Sequence, residues 1–182
     1  MRKSGPRAII HRSLAKQRSD FMRLAQLVHP VKGILEKKAK RTEKVSLVPA
    51  GATPMQQIAR AIVGSLGTTT YFKLTKLLYL IDLLALERLG HTVASDVYLR
   101  QADGPWPPKL DAQLKALDGH ELRRFFAHKF PMVSLGPAPR CEVGLGDDIL
   151  ELVVEVLEKY GRCSNAQIKT AVYLTAPMRH IL

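Results

Sequence analysis

Apolar positions in this chain recur mainly at helical spacing. Leu74, Leu77, Leu78, Ile81, Leu84 and Ala85 fall on one face of a segment running from Tyr71 to about Leu89, the i, i+3, i+4, i+7 pattern of an amphipathic helix. Leu80, Leu83 and Leu86 widen that apolar surface around most of the helix, and a helix apolar on most sides is buried among neighbours. It is therefore predicted to be the central helix. Thr68, Thr69 and Thr70 offer N-caps to it, and Gly90 supplies a residue able to turn left-handed at its end.

Other elements surround it in sequence. Thr53 and Pro54 open a short helix through Ile58, Ala61 and Ile62 that ends near Gly64 to Gly67. Val97, Tyr98 and Leu99 read as a short extended piece, and Gly104 with Pro105, Pro107 and Pro108 then forces a loop. The next helix carries Leu110, Leu114 and Leu117 on one face and stops at Gly119. Between about Phe130 and Leu145, two short strands are expected on either side of a turn at Gly136 to Pro139. Pro131 has no N–H for a ladder, which puts the first of them at an edge or starts it later. Asp147 and Asp148 suit the positive end of a helix dipole, and Ile149, Leu152, Val153, Val156, Leu157 and Tyr160 form a clean stripe up to Gly161. Ser164 with Gln167 forms a capping-box pattern for a last helix through Ile168, Ala171 and Val172 that stops before Pro177. The fold class expected is mainly α: a compact helical domain around a central apolar helix, with a small β-hairpin and a basic N-terminal extension.

Charge divides the chain. Residues 1–50 hold 13 Lys or Arg against 3 Asp or Glu, and residues 51–182 hold 15 against 13. That asymmetry predicts a basic arm over 1–50, partly helical or flexible, joined through the linker Pro49 to Pro54 to a nearly neutral domain over 54–182. Within the arm, Leu24, Leu27, Val28, Val31 and Leu35 have helical spacing that Pro30 interrupts. Lys37, Lys38, Lys40 and Arg41 form a dense cationic end able to meet phosphates or an acidic protein surface. A solvated tail is the plainer alternative, and Met22 and Met55 are alternative starting points. Phe21 is the arm's one aromatic residue, which disfavours base stacking on a single strand.

The apolar runs are too short for a membrane span of about 18 residues. Ile9 and Ile10 are followed at once by His11 and Arg12, so a secretory signal is not expected. Cys141 and Cys163 match no disulfide framework, CxxC or zinc pattern. A cytoplasmic protein is therefore expected. No phosphate-binding loop, nucleophile elbow or HExxH motif occurs, and the six histidines show no metal-ligand spacing. Asp147 and Asp148 are neighbours on a helix start, so they point apart, unlike a catalytic dyad. No enzyme activity and no cofactor are expected. Trp106, the single tryptophan, lies in a Pro-rich loop near Arg100 and Asp103. It reads either as a cover over the end of the central helix or, with those two residues, as a partner anchor.

The run Lys73, Leu74, Thr75, Lys76, Leu77, Leu78, Tyr79 resembles the signature helix of the Panacea domain of SocA-like antitoxins, whose usual form is KLQKLLYY. Gly104-Pro105 stands where that family has its Gly-Pro element. The closing segment with Pro177 is similar to the family's end, and the likeness extends over residues 54–182. Thr75 stands in place of the usual glutamine, Trp106-Pro107 in place of an apolar residue after Gly-Pro, and the basic arm has no counterpart. The resemblance implies an antitoxin that binds and neutralises a cognate toxin protein, by occlusion or by presenting it to a cytoplasmic protease. The rival expectation is a nucleic-acid-binding regulator with a winged-helix-like C-terminal part, its phosphate-binding charge supplied by residues 1–50. Its recognition helix over 164–175 would carry Lys169 as its one basic residue.

Overall fold

The computed structural model of this chain describes residues 52–95, 97–137 and 144–180. Six helices take up 55% of them: α1 (Pro54–Leu66), α2 (Tyr71–Leu89), α3 (Leu110–Leu117), α4 (Asp147–Tyr160), α5 (Asn165–Tyr173) and α6 (Ala176–Arg179). Five short strands join them: β1 (Thr68–Thr70), β2 (Leu99–Gln101), β3 (Gly104–Trp106), β4 (Leu122–Ala127) and β5 (Phe130–Leu135). The domain is thus mostly α with small antiparallel sheets. The basic arm, including Lys37, Lys38, Lys40 and Arg41, lies outside the described residues.

Local chemistry fixes the helix starts. The Thr53 hydroxyl accepts from the Gln56 N–H, and the Gln56 side chain accepts from the Thr53 N–H, so two orphan donors of α1 are satisfied reciprocally. Ser164 and Gln167 do the same for α5. Thr70 caps α2 through the Lys73 N–H, and Gly90 closes it at φ 77°, a conformation that costs glycine little. Helix α2 lies at the centre, against α1, α4, α5, β3 and β5. Leu74, Leu77, Leu78 and Ile81 are fully buried, and Leu80 is nearly so. Leu83 and Leu84 are half-buried and Leu86 is exposed, so the helix surfaces towards its C-terminal end.

Several strand expectations are corrected. The hairpin pairs β5 with the upstream strand β4, in register from Leu122 with Leu135 to Ala127 with Phe130, rather than with a strand after Gly136. Most of that expected second strand lies outside the described residues; Gly144 and Leu145 are in neither helix nor strand. Thr68–Thr70, read as caps alone, also form β1 against Met132, Val133 and Ser134. Strand β5 is consequently the middle of a sheet ordered β1-β5-β4, not an edge. The Gly136 N–H bonds the Glu121 carbonyl at 2.8 Å. Antiparallel ladders alternate, so the even-numbered residues of β5 bond β4 and the odd-numbered ones face β1. Pro131 therefore turns its missing donor to the β1 side, one residue past the last β1 pair, Thr70 with Met132, where no ladder needs it.

Residues 99–106, expected as the end of a strand and a loop, form a second hairpin, β2 with β3. The chain also restarts as a helix at α6, with Pro177 in its first turn, where a missing N–H is harmless.

Candidate partner-binding site

Four side chains spaced three apart on α2, Lys73, Lys76, Tyr79 and Asp82, form a polar stripe along the central helix. Lys76 and Asp82 are each only 2% exposed, and polar groups so placed are costly unless paired. Each meets a later part of the chain. Lys73 Nζ donates to the Gly161 carbonyl at 2.6 Å, at the end of α4. Lys76 Nζ donates to the Pro105 carbonyl at 2.9 Å and lies 5.0 Å from the centre of the Phe72 ring. The Tyr79 hydroxyl meets Thr175 Oγ1 at 2.9 Å. The Asp82 carboxylate accepts from the backbone N–H groups of Val93, Ala94 and Ser95 and from the Tyr98 hydroxyl, all within 2.6–2.8 Å. Burial pushes the Lys76 ammonium down to about 8, because a low-dielectric site disfavours the charged form. Burial, reinforced by the Asp82 charge, pushes the Tyr98 phenol up.

The Lys76 bond fastens the β2–β3 hairpin from below, and α5 fastens it from the side. The Tyr173 hydroxyl donates to the Ala102 carbonyl at 3.1 Å, and Lys169 pairs with Asp103 at 2.7 Å; the pairing lowers the Asp103 pKa and raises that of Lys169. Gly104 adopts φ 96°, and a Cβ there would lie 3.4 Å from the Tyr173 ring and 3.5 Å from Lys76 Nζ. A side chain at this position would be strained by the positive φ, with both neighbours in ordinary contact. Trp106 leaves the hairpin half-buried and shares the wall of a cavity with Tyr71, the first residue of α2; burial raises the Tyr71 pKa, and Trp106 offsets part of that rise.

Beside Trp106 the surface opens into a cavity of about 720 Å³ walled by Tyr71, Trp106, Arg124, Phe126 and Pro131. In an antiparallel pair, opposed residues share a face, so Phe126 and Pro131 lie on the same side of the sheet as Leu122 and Val133. Leu122 and Val133 are fully buried, whereas Phe126 is 75% exposed. The inner face of the hairpin therefore runs past the end of the core, and its last aromatic residue hangs over the cavity. Arg124 is held there by Asp111 at 2.7 Å.

The motif residues named from sequence are thus placed together: Lys73, Leu74, Lys76, Leu77, Leu78 and Tyr79 on α2, Gly104 and Pro105 buried beneath Lys76, and exposed Pro177 two residues after Thr175. Thr75, where glutamine is usual, bonds its hydroxyl to the Phe72 carbonyl at 2.6 Å and is self-sufficient within the helix. Arg100 and Asp103 are exposed on the β2–β3 hairpin, and Asp103 is engaged by Lys169. The same ion pair occupies the one cation of α5. Phe125, Phe126 and Met132 were not singled out by sequence reasoning, because the Arg-Arg-Phe-Phe order of 123–126 offers no clean alternation to signal a strand. Among the described residues no group of acids, histidines and cysteines could hold a metal ion, and no helix is long and apolar enough to cross a membrane.

The family model described as antitoxin SocA-like, Panacea domain, matches residues 74–176. The chain belongs to that family. The matched span runs from the second residue of the α2 motif to the first of α6, so every tie made by Lys76, Tyr79 and Asp82 falls inside the Panacea domain. Comparison with curated proteins and with solved structures returns no match.

Proposed function

We propose that this protein is the antitoxin of a two-component pair, and that it binds and neutralises a cognate toxin protein in the cytoplasm. The Panacea match over residues 74–176 carries this reading. In this reading the domain spans 54–182 and residues 1–50 are an appended basic arm. The protein acts by binding rather than by catalysis: the buried titratable groups of α2 are spent on backbone carbonyls, backbone N–H groups and hydroxyls of the fold itself. Such groups stabilise a frame and are not free to work on a substrate.

The test is co-expression with the product of the adjacent open reading frame. That product alone is expected to arrest growth, and this chain is expected to restore growth and copurify with it. Steady toxin levels during rescue support occlusion; falling levels that recover on loss of a cytoplasmic protease support proteolytic delivery. A harmless neighbour, together with DNA binding by the full chain that weakens steeply with salt, would overturn the antitoxin reading in favour of a nucleic-acid-binding regulator.

A further inference from the structure

We infer that the outer edge of β4 around Phe126 is a docking edge on which an extended, acidic segment of a partner protein adds a strand to the sheet. This deepens the reading of a protein partner and rests on it. The alternation set by the Gly136–Glu121 bond turns the backbone groups of Glu121, Arg123 and Phe125 towards β5 and those of Leu122, Arg124 and Phe126 outward. The chain closes the first part of this edge itself: the Gly119 N–H bonds the Leu122 carbonyl at 3.0 Å, and Asp118 Oδ1 accepts from the Arg124 N–H at 2.8 Å. Past that point the Arg124 carbonyl and both backbone polar groups of Phe126 face outward, and no described residue pairs with them.

Such an edge is a template for another strand. Side chains of an added strand would alternate. One set would enter the cavity, where the rings of Trp106, Phe126 and Pro131 suit apolar groups beside a charged wall of Asp111, Lys115, Asp118 and Arg124. The other would lie on the opposite face, with Phe125 and Arg123, whose guanidinium sits 5.8 Å from the Phe125 ring centre.

Charge selects the occupant. Residues 122–135 contain Arg123, Arg124 and Lys129 and no carboxylate; around the cavity Lys115 and Arg124 are matched by Asp111, paired with Arg124, and Asp118, bound to the Arg124 N–H, so the excess positive charge of the edge lies with Arg123 and Lys129. A second copy of this chain would bring the same cations to the same edge, where like charges on adjoining strands repel. An acidic strand with apolar side chains on alternate positions complements the site on both counts.

The probe is a short fluorescent peptide alternating glutamate with valine, titrated against the full chain. Three controls accompany it: its lysine counterpart, a version interrupted by proline, and an oligothymidine. The acidic peptide is expected to bind, with slowed hydrogen exchange at the Phe126 amide of the unaltered chain. Phe126→Val keeps the outward N–H, and Phe126→Pro removes it without touching the β5 ladder. Binding is expected to fall at least about tenfold further in the proline variant than in the valine variant. Failure of the acidic peptide to bind, preference for the lysine peptide or the oligothymidine, or unchanged exchange at Phe126 each overturns the proposal. The exchange measurement decides even if Phe126→Pro does not fold. A failed peptide titration leaves the toxin reading standing, and a failed co-expression leaves the titration unaffected, so the two are separable.

Discussion

The β2–β3 hairpin is held by Lys76 from the central helix and by Lys169 and Tyr173 from α5, whereas the β4–β5 hairpin is buried at its base and carries its turn past the core. Both are short antiparallel ribbons, which alone would be marginal in water. They differ in where their polar groups go. The first buries Gly104 and Pro105 and satisfies the Pro105 carbonyl with a lysine from beneath; the second leaves Phe126 and Phe130 in solvent. Of the residues that carry the family likeness, Gly104 and Pro105 belong to the first and Lys76 fastens it, while Lys73 and Tyr79 tie the central helix to Gly161 and Thr175. The motif thus describes a frame, and the proposed docking edge is built by residues outside it.

The largest expected effect comes from breaking the frame at Asp82. Asp82→Ala leaves three backbone donors and the Tyr98 hydroxyl without their acceptor. Stability in urea unfolding is expected to fall by about 3–5 kcal/mol, and a loss below about 1 kcal/mol would show that water replaces the carboxylate there.

Lys76 sharpens the comparison through pH. Its pKa falls from 10.5 to about 8 on folding, so between those values the unfolded chain holds a proton that the folded chain has shed. Stability from this group therefore rises with pH across that window and is flat below it. Measured against Lys76→Met at each pH, the unaltered chain is expected to gain from pH 8 upward; a difference independent of pH would show that the ammonium is well solvated.

Tyr79→Phe removes one bond to Thr175 while Thr175 keeps its bond to the Val172 carbonyl. A loss of about 1 kcal/mol in thermal or urea unfolding is expected. The smallest effect belongs to the free end of the other hairpin: Phe126→Ser is expected to shift stability by no more than about 0.5 kcal/mol, because that side chain is 75% exposed. A large loss there would mean that Phe126 is part of the core.

The helices were legible in the sequence because their signals are local. Thr53 and Gln56, Ser164 and Gln167, and the leucines from Leu74 to Ile81 each act within a turn or two, and the ends of α2 and α4 fall where Gly90 and Gly161 place them. The strands were not, because their pairing is long-range. Thr68–Thr70 is too short to alternate visibly, and it is a strand only because Met132–Ser134 lies beside it. The Leu122–Ala127 strand carries two adjacent arginines and two adjacent phenylalanines, which blur the period of two. The motif was legible as likeness, but that its lysines point inward to carbonyls followed only from the fold, since a lysine is ordinarily exposed.

The division between frame and docking edge is tested most directly by amide hydrogen exchange, compared between the free chain and the chain copurified with the product of the adjacent open reading frame. The account predicts that Val93, Ala94 and Ser95, tied to Asp82, exchange slowly in both, while Phe126 exchanges fast when free and slows on binding. Protection that appears along α5 or the β2–β3 hairpin, with Phe126 still fast in the complex, would contradict it.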